Sequence, residues 1–179
     1  MHRTARLVLA CALALAALPV VANAQTVVPP AAPTIGASGG FGGGIAIPVG
    51  RLSSTHAAGY TLSGLVDFSA AEQPFSFRME LIYQRFDGKS AAAVPGKNIT
   101  SLGASLLSRN PTGASSGFLL GGIAVYRLTD EGTKPGFNVG AGLEVPLTFF
   151  IGMADVRIHY VLTEERPALT IPITLGARF

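Results

Sequence analysis

Apolar and polar residues alternate over most of the chain, in segments of about ten residues. The last segment, LTIPITLGARF, shows the pattern clearly, because every second residue counted back from Phe179 is apolar. A period of two is typical of a β-strand whose two faces meet different environments. Seven earlier segments show the same period between turn-rich stretches. The pattern predicts eight strands, over residues 35–49, 58–70, 75–86, 98–108, 117–128, 137–145, 149–161 and 169–179.

The connections between these segments alternate as well. The connections after the first, third, fifth and seventh segments carry most of the loop charge. The connections after the second and sixth segments are tight, and the connection after the fourth segment is of intermediate length. No helical period is long enough to predict a substantial helix. An up-and-down meander has this arrangement, with longer loops at one end. We therefore predict an all-β, eight-stranded antiparallel up-and-down transmembrane β-barrel, with both termini periplasmic.

Periodicity alone does not decide which face of the barrel is outside. A soluble lipocalin-like barrel turns its apolar face inward around a ligand, whereas a transmembrane barrel turns that face towards lipid. The polar face is rich in Gly, Ser and Ala, which suits a crowded eight-stranded lumen. Aromatic residues cluster near the strand ends of the apolar face, as they do in the girdles of membrane barrels. These features favour the transmembrane barrel.

Charged residues on the polar face occur in complementary sets. A tight turn near Glu72 is expected to bring Asp67 close to Arg78, and a second set lies on the seventh segment and its neighbour. Buried charges are unfavourable unless they are paired, so an interior network is predicted, the alternative being solvated charges outside a soluble barrel. The predicted network comprises Asp67, Arg78, Glu80, Glu144, Asp155, Arg157 and His159.

The fifth segment has ambiguous faces. The favoured assignment places Phe118, Leu120 and Tyr126 together on the apolar face. Phe118 and Tyr126 are eight residues apart, which is roughly 26 Å along a strand. At a tilt of about 40° this spans roughly 20 Å, close to the height of the apolar band of an outer-membrane barrel.

The first residues predict export. Arg3 and Arg6 precede an apolar run over residues 7–21, and the sequence Ala-Asn-Ala that follows fits a cleavage site after Ala24. Cleavage there also removes Cys11, so the remaining chain is expected to contain no disulfide. The predicted organisation is a signal peptide over 1–24, a Pro/Ala-rich periplasmic leader over 25–34 and a barrel domain over 35–179.

Composition agrees with a membrane barrel and gives no sign of a nucleic-acid partner. Hydrophobic residues make up 49% of the chain, yet no apolar run long enough for a membrane-spanning helix follows the signal peptide. Without Arg3 and Arg6, the 13 basic residues fall to 11, against 10 acidic residues. No cluster of Lys and Arg stands out, so nucleic-acid binding is not expected.

The sequence offers little for catalysis, metals or cofactors, and none is predicted. His56 lies in the first loop beside Ser53, Ser54 and Thr55, where no acid is near, and no hydroxyl stands beside His159 on its strand. Nucleophilic catalysis requires an oriented imidazole within hydrogen-bond reach of a hydroxyl. A hydroxyl within about 3 Å of either imidazole would favour an enzyme. Two distant histidines with scattered carboxylates do not form a metal site.

Several stretches resemble the strands of small OmpA-like outer-membrane β-barrel domains. They are GGFGGGIAIPVG, GFNVGAGLEVPL and ADVRIHY, in the right order, and the last strand resembles the C-terminal β-signal that the assembly machinery recognises. In this chain that signal comprises Ile171, Ile173, Leu175, Ala177 and Phe179. The resemblance covers residues 35–179.

The resemblance implies a cell-envelope protein of the outer membrane of a Gram-negative cell. Because its residues offer little for catalysis, a structural or interaction role without enzymatic activity is expected. Its lumen is expected to be filled by side chains, with no large pore. The partners implied are outer-membrane lipid, lipopolysaccharide and the barrel assembly machinery, and a monomer is expected. A lipid-modifying outer-membrane enzyme and a soluble lipocalin-like ligand-binding barrel are the alternatives.

Overall fold

Eight antiparallel strands form one closed barrel in chain order, which confirms the predicted fold class. The structure, a computed structural model, describes residues 35–70, 73–112, 115–129, 131–164 and 166–179. The predicted signal peptide, the leader and Glu72 lie outside these residues. The strands are β1 Ile35–Val49, β2 Gly59–Ala70, β3 Phe75–Phe86, β4 Lys97–Thr112, β5 Ser115–Leu128, β6 Gly132–Pro146, β7 Ile151–Val161 and β8 Ala168–Arg178.

Two short helical segments lie in the connections. A five-residue helix, α1 (Arg51–Thr55), follows β1, and a 3-10 turn (Ser90–Ala92) lies between β3 and β4. Within the described ranges no helix is long and apolar enough to cross a membrane. The connections after β1, β3, β5 and β7 share one end of the barrel, which we call the loop end. The opposite end, where β1 begins and β8 ends, is called the terminal end.

The strands are strongly staggered around the barrel. The line of paired residues that leaves β1 at Gly39 passes through every strand and returns to β1 at Val49, ten residues further on. For eight strands, a stagger of this size corresponds to a strand tilt of about 40°. Each step from β1 towards β8 along this line therefore also rises towards the loop end.

Apolar side chains cover the outside of the barrel. On β3, the alternating residues from Phe75 to Leu81 are exposed, whereas Ser76, Arg78 and Glu80 are buried. Tyr60 and Phe68 of β2 both point outward and pack against aromatic neighbours on β3 at 6.1 and 6.3 Å between ring centroids. Their eight-residue separation corresponds to about 20 Å along the barrel axis. The outward aromatic residues argue against a barrel that binds a ligand in an apolar lumen.

The predicted facing of β5 is wrong. Phe118, Leu120 and Tyr126 point into the lumen and are 3%, 5% and 1% exposed, whereas Leu119 and Ile123 face outward. Phe118 therefore marks no edge of the apolar band. Both faces of this strand are apolar, so its period carries no information, and the space inside decides. The ring of Phe118 lies 5.5 Å from the guanidinium of Arg78, an arrangement that a cation and an aromatic face favour.

Three strands are longer than their alternation predicts. β6 begins at Gly132, a residue with φ of +70°. The stretch from Gly132 to Gly136, which contains glycine and proline and precedes the predicted start of the strand, also pairs with β5. The connection between β5 and β6 is therefore only three residues long. Pairing of β4 with β5 also continues to Thr112 opposite Ser115. Glycine and proline signal a turn in the sequence, but the neighbouring strand provides enough pairing to keep both in the sheet.

Closure between β1 and β8 requires a residue without a side chain at Gly44. A Cβ atom there would lie 2.0 Å from the carbonyl oxygen of Ile173. At the terminal end, the backbone N–H of Phe179 donates to the carbonyl of Gly39 at 2.8 Å. The ring of Phe179 stacks on Phe41 and also contacts Phe150, with 6.0 Å between ring centroids in both pairs. The first and last strands are thus joined by hydrogen bonds and by an aromatic cluster.

Candidate functional site

The terminal end of the lumen contains a cluster of five charged side chains, which we call the terminal cluster. Arg78 donates to both carboxylate oxygens of Asp67, at 2.6 and 2.8 Å. Arg109 bridges the two acids, with 2.8 Å to Asp67 and 2.9 Å to Glu144. Arg178 donates to Glu144 at 3.0 Å. Charge-assisted pairs of this kind are the strong hydrogen bonds of proteins. Here they join side chains of β2, β3, β4 and β6 and of the end of β8 at one height along the barrel axis.

A smaller cluster lies near the middle of the lumen, and we call it the central cluster. Arg157 donates to Glu80 across the barrel and to Asp155 on its own strand, the latter at 2.8 Å. Glu80 and Arg157 are 77 positions apart in sequence. The two clusters together contain four arginines and four carboxylates, so the interior charges balance. Such balance is what makes burial of charge tolerable.

Neutral polar side chains occupy the next level towards the loop end. The hydroxyl of Tyr126 lies 3.0 Å from Nδ1 of His159, and Thr170 donates to Gln84 at 3.0 Å. Ser105, which pairs with Arg78 and so lies lower, beside the charged clusters, contacts Asn138 at 3.3 Å. Nε2 of His159 has no hydrogen-bond partner among the described residues. These contacts link β3, β4, β5, β6, β7 and β8 through side chains inside the barrel.

An apolar plug closes the loop end of the lumen. It contains Leu52 of α1, Phe86, Ile99 and Val161, all at most 7% exposed. Lys97 and Glu131 form an ion pair of 2.6 Å at the same end. Side chains therefore fill the lumen at the terminal, central, polar and loop-end levels.

All seven residues of the predicted lumen network lie inside the barrel. They are Asp67, Arg78, Glu80, Glu144, Asp155, Arg157 and His159, and none is more than 8% exposed. They do not form one network, because the stagger separates six of them into the two clusters and places His159 beside Tyr126 at the neutral polar level. Glu80 contacts Arg157 instead of extending the pair formed by Asp67 and Arg78.

The sequence interpretation missed three lumen residues, two of them members of the terminal cluster. Arg109, Arg178 and Tyr126 were not assigned to the network, although the first two share the inward parity of their strands. Arg109 follows Ser101 and Ser105 at even spacing, and Arg178 follows Thr170 and Thr174. Alternation could have located both arginines, whereas nothing in the period of β5 could have placed Tyr126.

The five predicted assembly-signal positions occupy one face of β8 and its end. Ile173, Leu175 and Phe179 are exposed, and Ile171 and Ala177 are half-buried. Pro172 lies between two of them and faces the lumen, where it is fully buried. The outward face of the closing strand is therefore continuous and apolar.

Both histidines that the structure describes, His56 and His159, have a hydroxyl neighbour. Thr55 Oγ1 lies 2.8 Å from Nδ1 of His56, in addition to the contact of Tyr126 with His159. Tyr126 and His159 are buried between the apolar plug and the central cluster, so no lipid substrate has access to them. No carboxylate of the described chain forms an ion pair with His56, and the hydroxyl of Thr55 also contacts the carbonyl of Leu52 at 3.3 Å.

A pocket of about 250 Å³ opens at the loop end beside His56. Arg51, Lys97 and Arg166 line it, and Glu131 adds the one described carboxylate, which pairs with Lys97. Within the part of the chain that the structure covers, no three His, Cys, Asp or Glu side chains are grouped closely enough to hold a metal ion.

The fold, but not the sequence, matches known proteins. No protein-family profile matches the chain, and no curated protein sequence matches it. Neisserial surface protein A superposes with a TM-score of 0.62 at 16% identity, over 81% of this chain and 97% of that one. The outer membrane enzyme PagL gives 0.49 at 12% identity, over 80% and 99% of the chains. The N-terminal β-barrel domain of Pseudomonas aeruginosa OprF gives 0.48 at 16%, over 80% and 97%. With its closed sheet and apolar outer surface, the chain has the fold of an eight-stranded outer-membrane β-barrel.

Proposed function

We propose that the chain is an integral outer-membrane β-barrel protein with a structural or interaction role in the cell envelope, and that it is not an enzyme. The observation that carries this proposal is a closed barrel, in which every strand pairs with both of its neighbours, with an apolar outside and balanced charges inside. In hydrocarbon every backbone N–H and C=O must be paired within the protein, and a closed barrel meets this requirement. The same surface in water would expose a large apolar band.

The proposed route to the membrane begins with cleavage of a signal peptide after Ala24 and export from the cytoplasm of a Gram-negative cell. The assembly machinery then recognises the outward face of β8, which ends at Phe179, and inserts the barrel as a monomer. Both ends of the barrel domain lie at the terminal end, which we place in the periplasm. The loop end then faces outward, where lipopolysaccharide is the expected lipid partner.

A lipid-modifying enzyme is the second candidate, because His56 and His159 each have the hydroxyl neighbour that such an activity would use. Two features favour a non-enzymatic role. Tyr126 and His159 are enclosed, and a tyrosine hydroxyl is a weaker nucleophile than an activated serine. Thr55 and His56 belong to a short helix and its end, where no acid within the described residues orients the imidazole.

Lipid analysis distinguishes these two candidates. Mass spectrometry of lipid A and phospholipids from cells with and without the protein is expected to show the same acyl chains in both. A shift by one acyl chain that disappears in His56→Ala would contradict the non-enzymatic role. Arg51→Gln, which changes the same pocket without removing the imidazole, provides the control.

Gel mobility of the protein from a washed envelope fraction tests the main proposal. Closed membrane barrels resist detergent until they are boiled, because no strand edge is free. We expect the protein in the envelope, with different mobility in boiled and unboiled samples. Recovery in the soluble periplasm without a heat-dependent shift would refute the proposal and would direct attention to a ligand in the lumen.

A further inference from the structure

A broad apolar groove crosses the outer wall of the barrel from β3 to β7. Met79, Ile123 and Phe137 form its lower wall, and Leu102, Val125 and Leu162 form its upper wall. The groove has a volume of about 560 Å³. From β3 to β7 the groove crosses four inter-strand spacings of about 4.8 Å each, so its length is about 19 Å. It is thus a long, shallow, wholly apolar surface feature instead of an entrance to the lumen.

Short residues leave room in the middle of the groove. Ala104 continues the lower wall between Met79 and Ile123 but leaves a gap there, because its side chain is a single methyl group. The backbone at Gly103 and Gly136 forms part of the floor. Ile123, at 73% exposed, is among the most exposed apolar side chains of the barrel. A larger side chain at position 104 would fill the middle of the groove.

The upper end of the groove reaches the membrane boundary at the loop end. Because of the stagger, the walls rise from Met79 near mid-barrel to Leu162 beside the last loop. The next outward row above the upper wall contains Thr100, Arg127 and Thr133, which are paired neighbours on β4, β5 and β6. Arg127 lies two residues beyond Val125, about 7 Å along β5. The surface therefore changes from hydrocarbon to polar directly above the groove.

Arg127 provides the positive charge at this boundary. Its side chain is exposed and forms no hydrogen bond or ion pair with another described residue. The nearby Lys134 is compensated by Glu164, whose carboxylate lies 2.5 Å from Nζ, and this hydrogen bond lowers the pKa of Glu164. A guanidinium between two threonine hydroxyls suits a phosphate group, to which it can donate two parallel hydrogen bonds.

We propose that the groove binds lipopolysaccharide through its acylated, phosphorylated anchor. An acyl chain lies along the groove, and a phosphate of the headgroup is bound by Arg127 between Thr100 and Thr133. The inference rests on the proposed function, which places the loop end in the outer leaflet, where lipopolysaccharide is the phosphorylated lipid that the wall meets. The site deepens that function by assigning it a specific lipid contact on the barrel wall.

Lipid titration of the refolded full-length barrel in detergent micelles tests this site. Purified lipopolysaccharide is added, and the bound fraction is measured by mass spectrometry of the intact complex. Loss of one interfacial cation in Arg127→Gln is expected to weaken binding about fivefold. Ala104→Leu is expected to weaken it comparably by filling the groove.

Two matched variants serve as controls. Lys89→Gln removes an exposed loop-end cation away from the groove, and Ala154→Leu enlarges another outward alanine, on β7 in the half of the wall towards the terminal end. Both are expected to bind lipopolysaccharide as the unchanged chain does. The two substituted residues of the groove lie on the outer wall, Arg127 exposed and Ala104 half-buried, and the heat-dependent gel shift reports whether each variant is folded.

Equal affinity of the unchanged chain, Arg127→Gln and Ala104→Leu for lipopolysaccharide would overturn the site. Binding of phosphatidylglycerol as tight as that of lipopolysaccharide would overturn the choice of occupant. Failure of the proposed function is separable from both outcomes, because the unchanged chain would then be recovered outside the envelope and would show no heat-dependent shift.

Discussion

Asp67 is the residue on which most of the terminal cluster converges. It accepts hydrogen bonds from Arg78 and Arg109 and lies 3.5 Å from the guanidinium of Arg178. At 2% exposure it has almost no contact with solvent, so no water can replace these partners. Removal of one member of a buried ion pair leaves the partner charge uncompensated, which is more unfavourable than the loss of a surface pair.

The substitution Asp67→Asn should therefore destabilise the barrel by about 3–5 kcal/mol. The asparagine retains the shape of the carboxylate but leaves the three arginines with only Glu144. The free energy of unfolding is measured from urea titrations of the barrel refolded in lipid vesicles.

Asp87→Asn is the matched control for this change. Asp87 is 80% exposed and its pair with Arg85 has a distance of 3.8 Å, so its removal should change the free energy of unfolding by less than about 0.5 kcal/mol. Equal urea midpoints for the two variants would show that the terminal cluster does not stabilise the barrel.

At the scale of strands, the seam between β1 and β8 closes the barrel. The seam pairs the first strand with the last, so it joins residues that are far apart in sequence, such as Gly40 and Arg178. It depends on close approach of the two backbones at Gly44 and on the aromatic cluster around Phe179. Both features can be changed without alteration of the lumen charges.

Gly44→Ala should disrupt closure, because the added methyl group would meet the backbone of Ile173, which cannot move as a side chain can. We expect destabilisation of about 1–3 kcal/mol or more, and a smaller folded fraction on unboiled gels. Gly121→Ala is the control, since nothing lies within 4 Å of its Cβ position. A normal heat-dependent shift and unchanged unfolding in Gly44→Ala would contradict the close approach at the seam.

Phe179→Ala tests the aromatic cluster and the predicted assembly signal together. Loss of the contacts with Phe41 and Phe150 should lower the unfolding temperature of the purified barrel and reduce its yield in the envelope. Phe149→Ala removes another exposed phenylalanine, at 87% exposure, and should have little effect on either. If the yield falls while the unfolding temperature is unchanged, Phe179 acts in recognition and not in packing.

For the molecule as a whole, the filled lumen predicts the absence of a large pore. Charged clusters, neutral polar contacts and the apolar plug succeed one another along the barrel axis, and each lies across the interior. Solute passage would require several ion pairs and the plug to separate together. Eight-stranded barrels have an interior just wide enough for their side chains.

Current recordings in planar lipid bilayers check this expectation. The refolded barrel should produce no stepwise conductance of the size given by a general porin. A porin added later to the same membrane shows that channels would have been detected. Large, regular conductance steps from the purified chain would show that the lumen opens and would contradict the structural or interaction role.

The alternation of apolar and polar residues was enough to determine the number of strands and their order. Together with the small and paired charged residues of the polar face, it also determined the facing of every strand except β5. When the two faces of a strand differ in polarity, as on β3 and β7, the alternation allows only one assignment of the faces to the lumen and to lipid. It fails on β5, where Phe118 and Leu119 are equally apolar neighbours. There the choice depends on the space inside: at Gly142 a Cβ would lie 2.3 Å from the ring of Phe118.

Only the tertiary structure decided which charges meet. The sequence places Glu80 and Arg157 on inward faces, but it does not specify how far each strand is shifted against the next. The ten-residue stagger brings these two side chains, 77 positions apart, to one level and brings Arg109 to Glu144 at another. Local periodicity fixes the direction of a side chain, whereas the sum of eight registers fixes its height in the barrel, and height determines its partners.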